Sequence, residues 1–220
     1  PVLPRRSRQD DARLLLLGTL RLGTRCVSAI VALLRARHAV SLLRAHVQQD
    51  GTFEVLDALE TAEPVPGRLE QLNFKSGVTV IVDYAHTPDA LEKALKAIKD
   101  IAPANSTIWC IFGCGGDRDP GKRPEMGSIA EAIADRVIVT SDNPRTEAPE
   151  AILDDIRDGM GRPDRAEWIV DRRDAIRFAG RSASSRDIVL VAGKGHEPYQ
   201  VIGTNRIHFS DREEVMKWFG

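Results

Sequence analysis

No lysine occurs before Lys75, cysteine is scarce, and no long apolar run interrupts the chain. The three cysteines, Cys26, Cys110 and Cys114, are odd in number and form no CxxC pair. That argues against a disulfide framework or a zinc site and fits a reducing compartment. The one leucine run, Leu14–Leu17, is short and flanked by Arg13, Arg21 and Arg25, so no membrane span is expected. Charge of either sign is not in excess: 31 basic against 32 acidic residues leave a net −1. A nucleic-acid or membrane-surface partner for the whole chain is therefore not expected. What remains is ordinary for a soluble protein, with 42% apolar and 29% charged residues, enough for a real core.

The first 49 residues differ from the rest. They hold nine arginines, and only Asp10 and Asp11 supply negative charge. Such a start is compatible with a transit peptide, with a helical remnant of an upstream domain (Leu14–Leu22 and Ala29–Leu43 can each form a helix), or with an unnatural reading frame. Sequence leaves the three open. Phe53–Glu60 reads as helical, with Phe53, Leu56 and Leu59 on one face, and Pro64–Gly67 punctuates the chain like a linker.

Beyond that linker, apolar, β-branched runs alternate with helical ones. Strands are expected at Val78–Val82, Thr107–Phe112, Arg136–Thr140, Trp168–Val170 and Ile188–Ala192. Helices are expected at Pro88–Ile98, Arg123–Ala134, Pro149–Met160, Arg172–Arg181 and Asp211–Phe219. Thr87 and Pro88 mark the first helix start. The pattern predicts an α/β domain with a largely parallel sheet, whose binding residues collect at the carboxyl ends of the strands.

Four polar loops fall there. Asp83–Pro88 offers a carboxylate that suits a ribose and a histidine that suits a phosphate, although Asp83 and Thr87 can equally cap a helix. Gly113–Arg123 comes close to a Walker A loop, with Gly116 and Gly121-Lys122 correctly spaced. Arg123 stands where Ser or Thr would hold magnesium, and Asp117 and Asp119 would repel a triphosphate. Arg118, flanked by acids expected to hold its guanidinium, is better suited to a carboxylate. Thr140–Arg145 supplies Asp142, Asn143 and Arg145, a set that suits a zwitterion, against the common alternative of an Asx-Pro turn with a solvated arginine. Gly193–Glu197 brings the backbone close to a ligand and lets Glu197 face an ammonium, with Lys194 and His196 alternatively a solvated turn.

Together these loops resemble the Mur ligases from about Phe53 to the C-terminus. The resemblance rests on VPGRLE (Val65–Glu70), VDYAHTPDAL (Val82–Leu91), FGCGGDRDPGKRPEMG (Phe112–Gly127), TSDNPRTE (Thr140–Glu147), VAGKGHEPYQ (Val191–Gln200) and FSDRE (Phe209–Glu213). It implies a Rossmann-like C-terminal, amino-acid-binding domain over 65–220, with 1–64 an Arg-rich segment and a remnant of a central ATPase domain. The implied activity is ATP-dependent amide bond formation in the cytoplasmic phase of peptidoglycan synthesis. A carboxylate of UDP-MurNAc-L-Ala-D-Glu is phosphorylated, and a diamino acid's amine attacks the acyl phosphate. In that family the DNPR form of the third loop goes with meso-2,6-diaminopimelate rather than lysine. The resemblance assigns Arg118, Asn143, Arg145, Gly193 and Glu197 to diaminopimelate, with Asp142 in support. It assigns Arg68 and Asp83 to ATP, with Tyr84 and His86 beside them. A monomer is expected, with no metal ligand and no certain catalytic residue in this sequence.

The departures set a limit. Complete Mur ligases carry a GTNGKT-like phosphate loop in a central domain that holds most of the ATP and Mg2+, and no such loop occurs here. The chain is accordingly expected to be a fragment, catalytically incomplete alone. The rival readings are a non-catalytic diaminopimelate-binding module, a lysine-adding variant, and an unrelated nucleotide-binding α/β protein.

Overall fold

The computed structural model describes residues 65–220, so the helices expected within 1–64 lie outside the described residues. In chain order the elements are β1 (Glu70–Asn73), β2 (Thr79–Asp83), α1 (Pro88–Ile101), β3 (Ile108–Phe112), α2 (Lys122–Ile133), β4 (Arg136–Val139) and α3 (Pro149–Arg157). There follow β5 (Ala166–Trp168), α4 (Arg172–Ser182), β6 (Ile188–Ala192), β7 (Tyr199–Ile202), β8 (Asn205–His208) and α5 (Asp211–Phe219).

The main sheet has the order β1-β2-β6-β3-β4-β5. β1 is antiparallel to β2, and every other pairing is parallel. The central strands β3 and β6 are buried at every position, which requires cover on both faces. Alternation along each strand sends side chains to opposite sides. Ile81, Cys110, Phe112, Val139, Leu190 and Ala192 meet α1, α2 and α3 through Leu91, Leu95, Met126 and Ile156. Val80, Val82, Trp109, Ile111, Val189 and Val191 meet α4 and α5 through Ile176, Ala179, Val215 and Phe219. Each such aliphatic or aromatic side chain contributes about 1.5–3 kcal/mol on full burial. Cys110 and Cys114 are free and buried, and burial pushes both thiols up to about 12.

The expected α/β architecture is present, with four departures. β5 begins at Ala166 rather than Trp168, because the 3-10 turn Pro163–Arg165 delivers the chain to the ladder early. Its partners Val137–Val139 are used up at Trp168, after which Ile169 donates one further bond to Val139 and leaves the sheet. α3 stops at Arg157, where short-range bonds from Gly159 to Ile156 and from Met160 to Arg157 tighten the chain out of α geometry. The edge strand β1 and the β7–β8 hairpin are additional. That hairpin turns through Gly203-Thr204, with Gly203 at φ +60°.

Among the described residues one charged pair lies wholly inside. Arg172, the first residue of α4, donates from Nε and Nη2 to the two oxygens of Asp211 at 2.7 and 2.9 Å, and both side chains are fully buried. The same guanidinium reaches the carbonyl of Ala192 at 2.9 Å. It therefore ties α4, α5 and the end of β6 together. Asp211→Ala leaves that charge buried without a counter-ion and is expected to cost about 3–5 kcal/mol, read from the urea unfolding midpoint. An unchanged midpoint would show that Arg172 is not held by this pair.

Candidate functional site at the carboxyl edge of the sheet

β2, β6, β3 and β4 are adjacent and parallel, so the four polar loops that follow them emerge side by side. After β2, Thr87 caps α1 by accepting from the amide of Ala90, as its place before Pro88 suggests. Asp83 does not cap. Its Oδ2 accepts from Leu69 N at 2.7 Å and its Oδ1 from Ala85 N at 2.9 Å, pinning the Val65–Leu69 turn to this loop. Burial pushes the Asp83 carboxyl up against the opposing pull of those amides and of Arg68. Arg68 lies over the Tyr84 ring at 4.6 Å, with His86 edge-on to the same ring at 4.6 Å and His196 at 5.7 Å. Arg68, Asp83, Tyr84 and His86 thus form one cluster.

The Gly113–Lys122 loop is built differently from the expectation. Asp117 accepts from the Thr146 hydroxyl at 2.7 Å, and Asp119 from the amide of Gly121 at 2.9 Å. Among the described residues neither carboxylate pairs with Arg118, whose exposed guanidinium donates only to the carbonyl of Asp117 at 3.0 Å. The flanking acids shape the turn and leave the arginine free. Arg123 turns inward: it pairs with Asp155 at 2.7 Å and Glu147 at 2.9 Å, and donates to the carbonyl of Gly115. Its hydrogen bond to Glu147 holds that carboxyl below its ordinary range.

The Thr140–Arg145 and Gly193–Glu197 loops interlock. Asn143 Oδ1 accepts from Val201 N at 2.9 Å and from Lys194 Nζ at 3.0 Å, which orients the amide so that Nδ2 donates to Glu197 Oε2 at 3.2 Å. Glu197 Oε1 accepts from the Tyr84 hydroxyl at 3.2 Å. Lys194 Nζ also lies 3.4 Å from Glu197 and 3.7 Å from Asp142. Burial pushes the Glu197 carboxyl up, but Asn143, Lys194 and Tyr84 together outweigh it and leave it below its ordinary value. Gly193 sits at φ +118°, and a Cβ there would lie 2.7 Å from Asp142 Oδ2. Arg145 is in the left-handed region at φ 52°, and its Nη1 donates to the carbonyls of Gly116 at 2.7 Å and Asn143 at 3.3 Å. Its Nε and Nη2 take no acceptor among the described residues. A Cβ placed on Gly115 would meet both Arg145 Nη1, at 2.8 Å, and the Arg118 stem, at 3.7 Å, so the two arginines border one spot.

All six residues assigned to an amino-acid ligand thus lie on one stretch of the carboxyl edge, and the arrangement offers guanidinium donors beside an anchored carboxylate. Lys194 is not the solvated turn residue that remained an alternative, since it is fully buried. Sequence reasoning missed its role, the Arg172–Asp211 pair, and Gln200, which donates to the carbonyl of Asp142 at 2.7 Å. The available signal for Lys194 was a lone cation between two glycines directly after an all-apolar strand.

Residues 67–195 match the profile described as Mur ligase, glutamate ligase domain. The chain is 53% identical over 163 residues to the UDP-N-acetylmuramoyl-L-alanyl-D-glutamate–2,6-diaminopimelate ligase of Ralstonia nicotianae, covering 74% of this chain and 32% of the relative. The protein of the same name from Thermosynechococcus vestitus is 53% identical over 165 residues, covering 73% and 32%. A solved structure of a ligase of that name superposes with a TM-score of 0.67 at 44% identity, covering 80% of this chain and 36% of that one. The chain spans about a third of the length of these relatives.

Gly193→Ala forces a Cβ against Asp142 in a backbone region that side chains avoid. It is expected to cost about 1–3 kcal/mol in chemical unfolding. A stability equal to that of the unaltered chain would mean that the two loops are not packed as described.

Proposed function

The chain belongs to the Mur ligase family, whose glutamate ligase domain it carries over residues 67–195, and from that premise we propose that its carboxyl-edge site binds meso-2,6-diaminopimelate. The observation that carries the reading is the anchored Glu197 carboxylate beside the unengaged donors of Arg145 and Arg118. The distal centre of diaminopimelate is a zwitterion. Its ammonium pairs with Glu197, and its carboxylate takes Nε and Nη2 of Arg145 together with Arg118, in the bidentate manner that guanidinium favours. Asn143 orients Glu197, Asp142 supports Lys194, and Gly193 admits the close approach. Lysine has no distal carboxylate and leaves the guanidiniums unpaired, which is the strong form of discrimination.

In this reading, residues 65–220 are the amino-acid-binding unit of a ligase that extends UDP-MurNAc-L-Ala-D-Glu in cytoplasmic peptidoglycan synthesis, acting as a monomer. The γ-phosphoryl group of ATP passes to the D-glutamate carboxylate, giving ADP and an acyl phosphate. The reacting amine of diaminopimelate attacks the acyl carbon, phosphate departs, and the nitrogen loses its proton. The chain's part is to hold and orient the amine donor. The exposed face of Arg68, Tyr84 and His86, with Asp83 beneath, is the part that reaches the nucleotide.

The described residues do not fit magnesium triphosphate. Among them no group of three His, Cys, Asp or Glu is arranged to hold a metal ion. Arg123, at the Walker Ser/Thr position, is buried in ion pairs, and Asp117 and Asp119 lie in the loop. That loop also favours a second reading, a diaminopimelate-binding module without turnover. ADP release, assayed with ATP, magnesium, UDP-MurNAc-L-Ala-D-Glu and meso-diaminopimelate, separates the two. Binding without ADP supports the module; diaminopimelate-dependent ADP shows that the chain holds a phosphate site.

By calorimetry, the unaltered chain is expected to bind meso-diaminopimelate in preference to lysine. Arg145→Ala is expected to lose roughly 2 kcal/mol or more, about 30-fold in Kd. An unchanged Kd would remove Arg145 from the site.

A further inference from the structure

The ligand reading gives Lys194 no direct contact, yet its side chain is fully buried in the middle of the site. A buried ammonium is costly unless it is paired and hydrogen-bonded. Here it has one good hydrogen bond, to Asn143 Oδ1 at 3.0 Å, and two carboxylates at the margin of contact, Glu197 at 3.4 Å and Asp142 at 3.7 Å. We propose that Lys194 is a positioning residue for amino-acid recognition: its ammonium fixes the Asn143 amide and neutralises the space between Asp142 and Glu197, so that Glu197 is presented as an ionised acceptor for a ligand's ammonium group.

The geometry distinguishes this from simple packing. Asn143 can turn its amide in two ways, and only one directs Nδ2 at Glu197. Two donors meeting on Oδ1, Lys194 Nζ and Val201 N, select that one. Glu197 then receives Tyr84 on one oxygen and Asn143 with Lys194 on the other, which leaves room for one more donor on a carboxylate with about four acceptor positions.

Charge supplies the second argument. From the loop after β4, Asp142 faces Lys194 and Arg145 stands beside Asn143. Arg172 and Asp211 lie beneath, already paired with each other. Tyr84 approaches Glu197 from the loop after β2, and the Tyr199 ring lies 5.5 Å from Lys194 Nζ. Without Lys194, Asp142 and Glu197 lose the ammonium that lies between them, since Arg172 is already paired with Asp211 and Arg145 donates to the carbonyls of Gly116 and Asn143. In such carboxylate pairs one carboxyl holds its proton to higher pH. A protonated Glu197 cannot accept a salt bridge from an ammonium.

The test is the titration of Glu197 followed by carboxyl NMR in the full chain, with the resonance assigned through Glu197→Gln. In the unaltered protein it is expected to titrate below the ordinary Glu range, because Asn143, Lys194 and Tyr84 outweigh its burial. In Lys194→Met, which keeps the length and loses the charge, the titration is expected to rise by about one pH unit or more. Affinity for meso-diaminopimelate then falls as pH drops from 7 to 5 in the variant and changes much less in the unaltered chain. A packing role alone would lower affinity equally at every pH. Should the Met variant not fold, Glu197→Gln tests the same coupling from the half-buried side: removing the carboxylate is expected to lower the Lys194 Nζ titration. A Glu197 titration unmoved by Lys194→Met, or a Lys194 titration unmoved by Glu197→Gln, overturns the proposal. The choice of ligand rests on the function proposed above, whereas the titrations do not. Coupled titrations without diaminopimelate binding would uphold Lys194 and refute that ligand.

Discussion

Strand β6 pairs in parallel with β2 on one side and β3 on the other, in a register that aligns Asp83 with Ala192 and Ile111 with Val191. This late strand, entering the middle of the sheet, sets what its edge can do. It brings the loop after β6 between the loops after β2 and β3, and β4 follows directly beyond. Tyr84 can reach Glu197 only because their strands are neighbours. The insertion also buries Lys194: a loop at the sheet's centre is covered from both flanks, whereas the same Gly-Lys-Gly at an edge would lie in water.

Three buried cations then hold the edge in one arrangement. Arg172 ties α4, α5 and β6; Arg123 ties the loops after β3 and β4 to α3; Lys194 ties the loops after β4 and β6. Such pairs add little net stability, because removing each charge from water costs about as much as pairing returns. Their effect is on alternatives. Any displacement of a loop strands a charge in the interior, so the arrangements that compete with the observed one are penalised far more than the observed one is favoured. A recognition site benefits from that kind of constraint, since its polar groups keep their directions before any ligand arrives.

Most of the fold was legible because it depends on local signals. β-branched apolar runs, the Thr87-Pro88 helix start and the apolar faces of α1 and α4 declare themselves without tertiary information. The edge strand β1, with its half-exposed alternation, and the wholly exposed β8 carry too little apolar character to be recognised. The candidate residues were found as loop motifs, but their partners were not. That Asp83 would bind Leu69 rather than cap a helix, and that Asp117 would turn from Arg118 to Thr146, depends on which loops become neighbours. Strand order determines that, and strand order is the non-local property that periodicity does not contain.

The near-Walker loop shows how a motif and its use separate. Gly116, Gly121 and Lys122 have the spacing of a phosphate cradle, yet Lys122 donates to the carbonyl of His86 at 2.8 Å and Arg123 is buried among acids. The carbonyl of Gly116, directed inward, accepts from Arg145, while its amide donates to the carbonyl of Asn143. A loop that wraps phosphate must aim its amides at the ligand and keep its cations free. This one directs both to surrounding loops and to α3, and the result is a frame that holds Arg145 and Asn143 in place. The glycines serve close approach in either case, but here the object approached is the protein itself, and the free charge is left on Arg118 and Arg145.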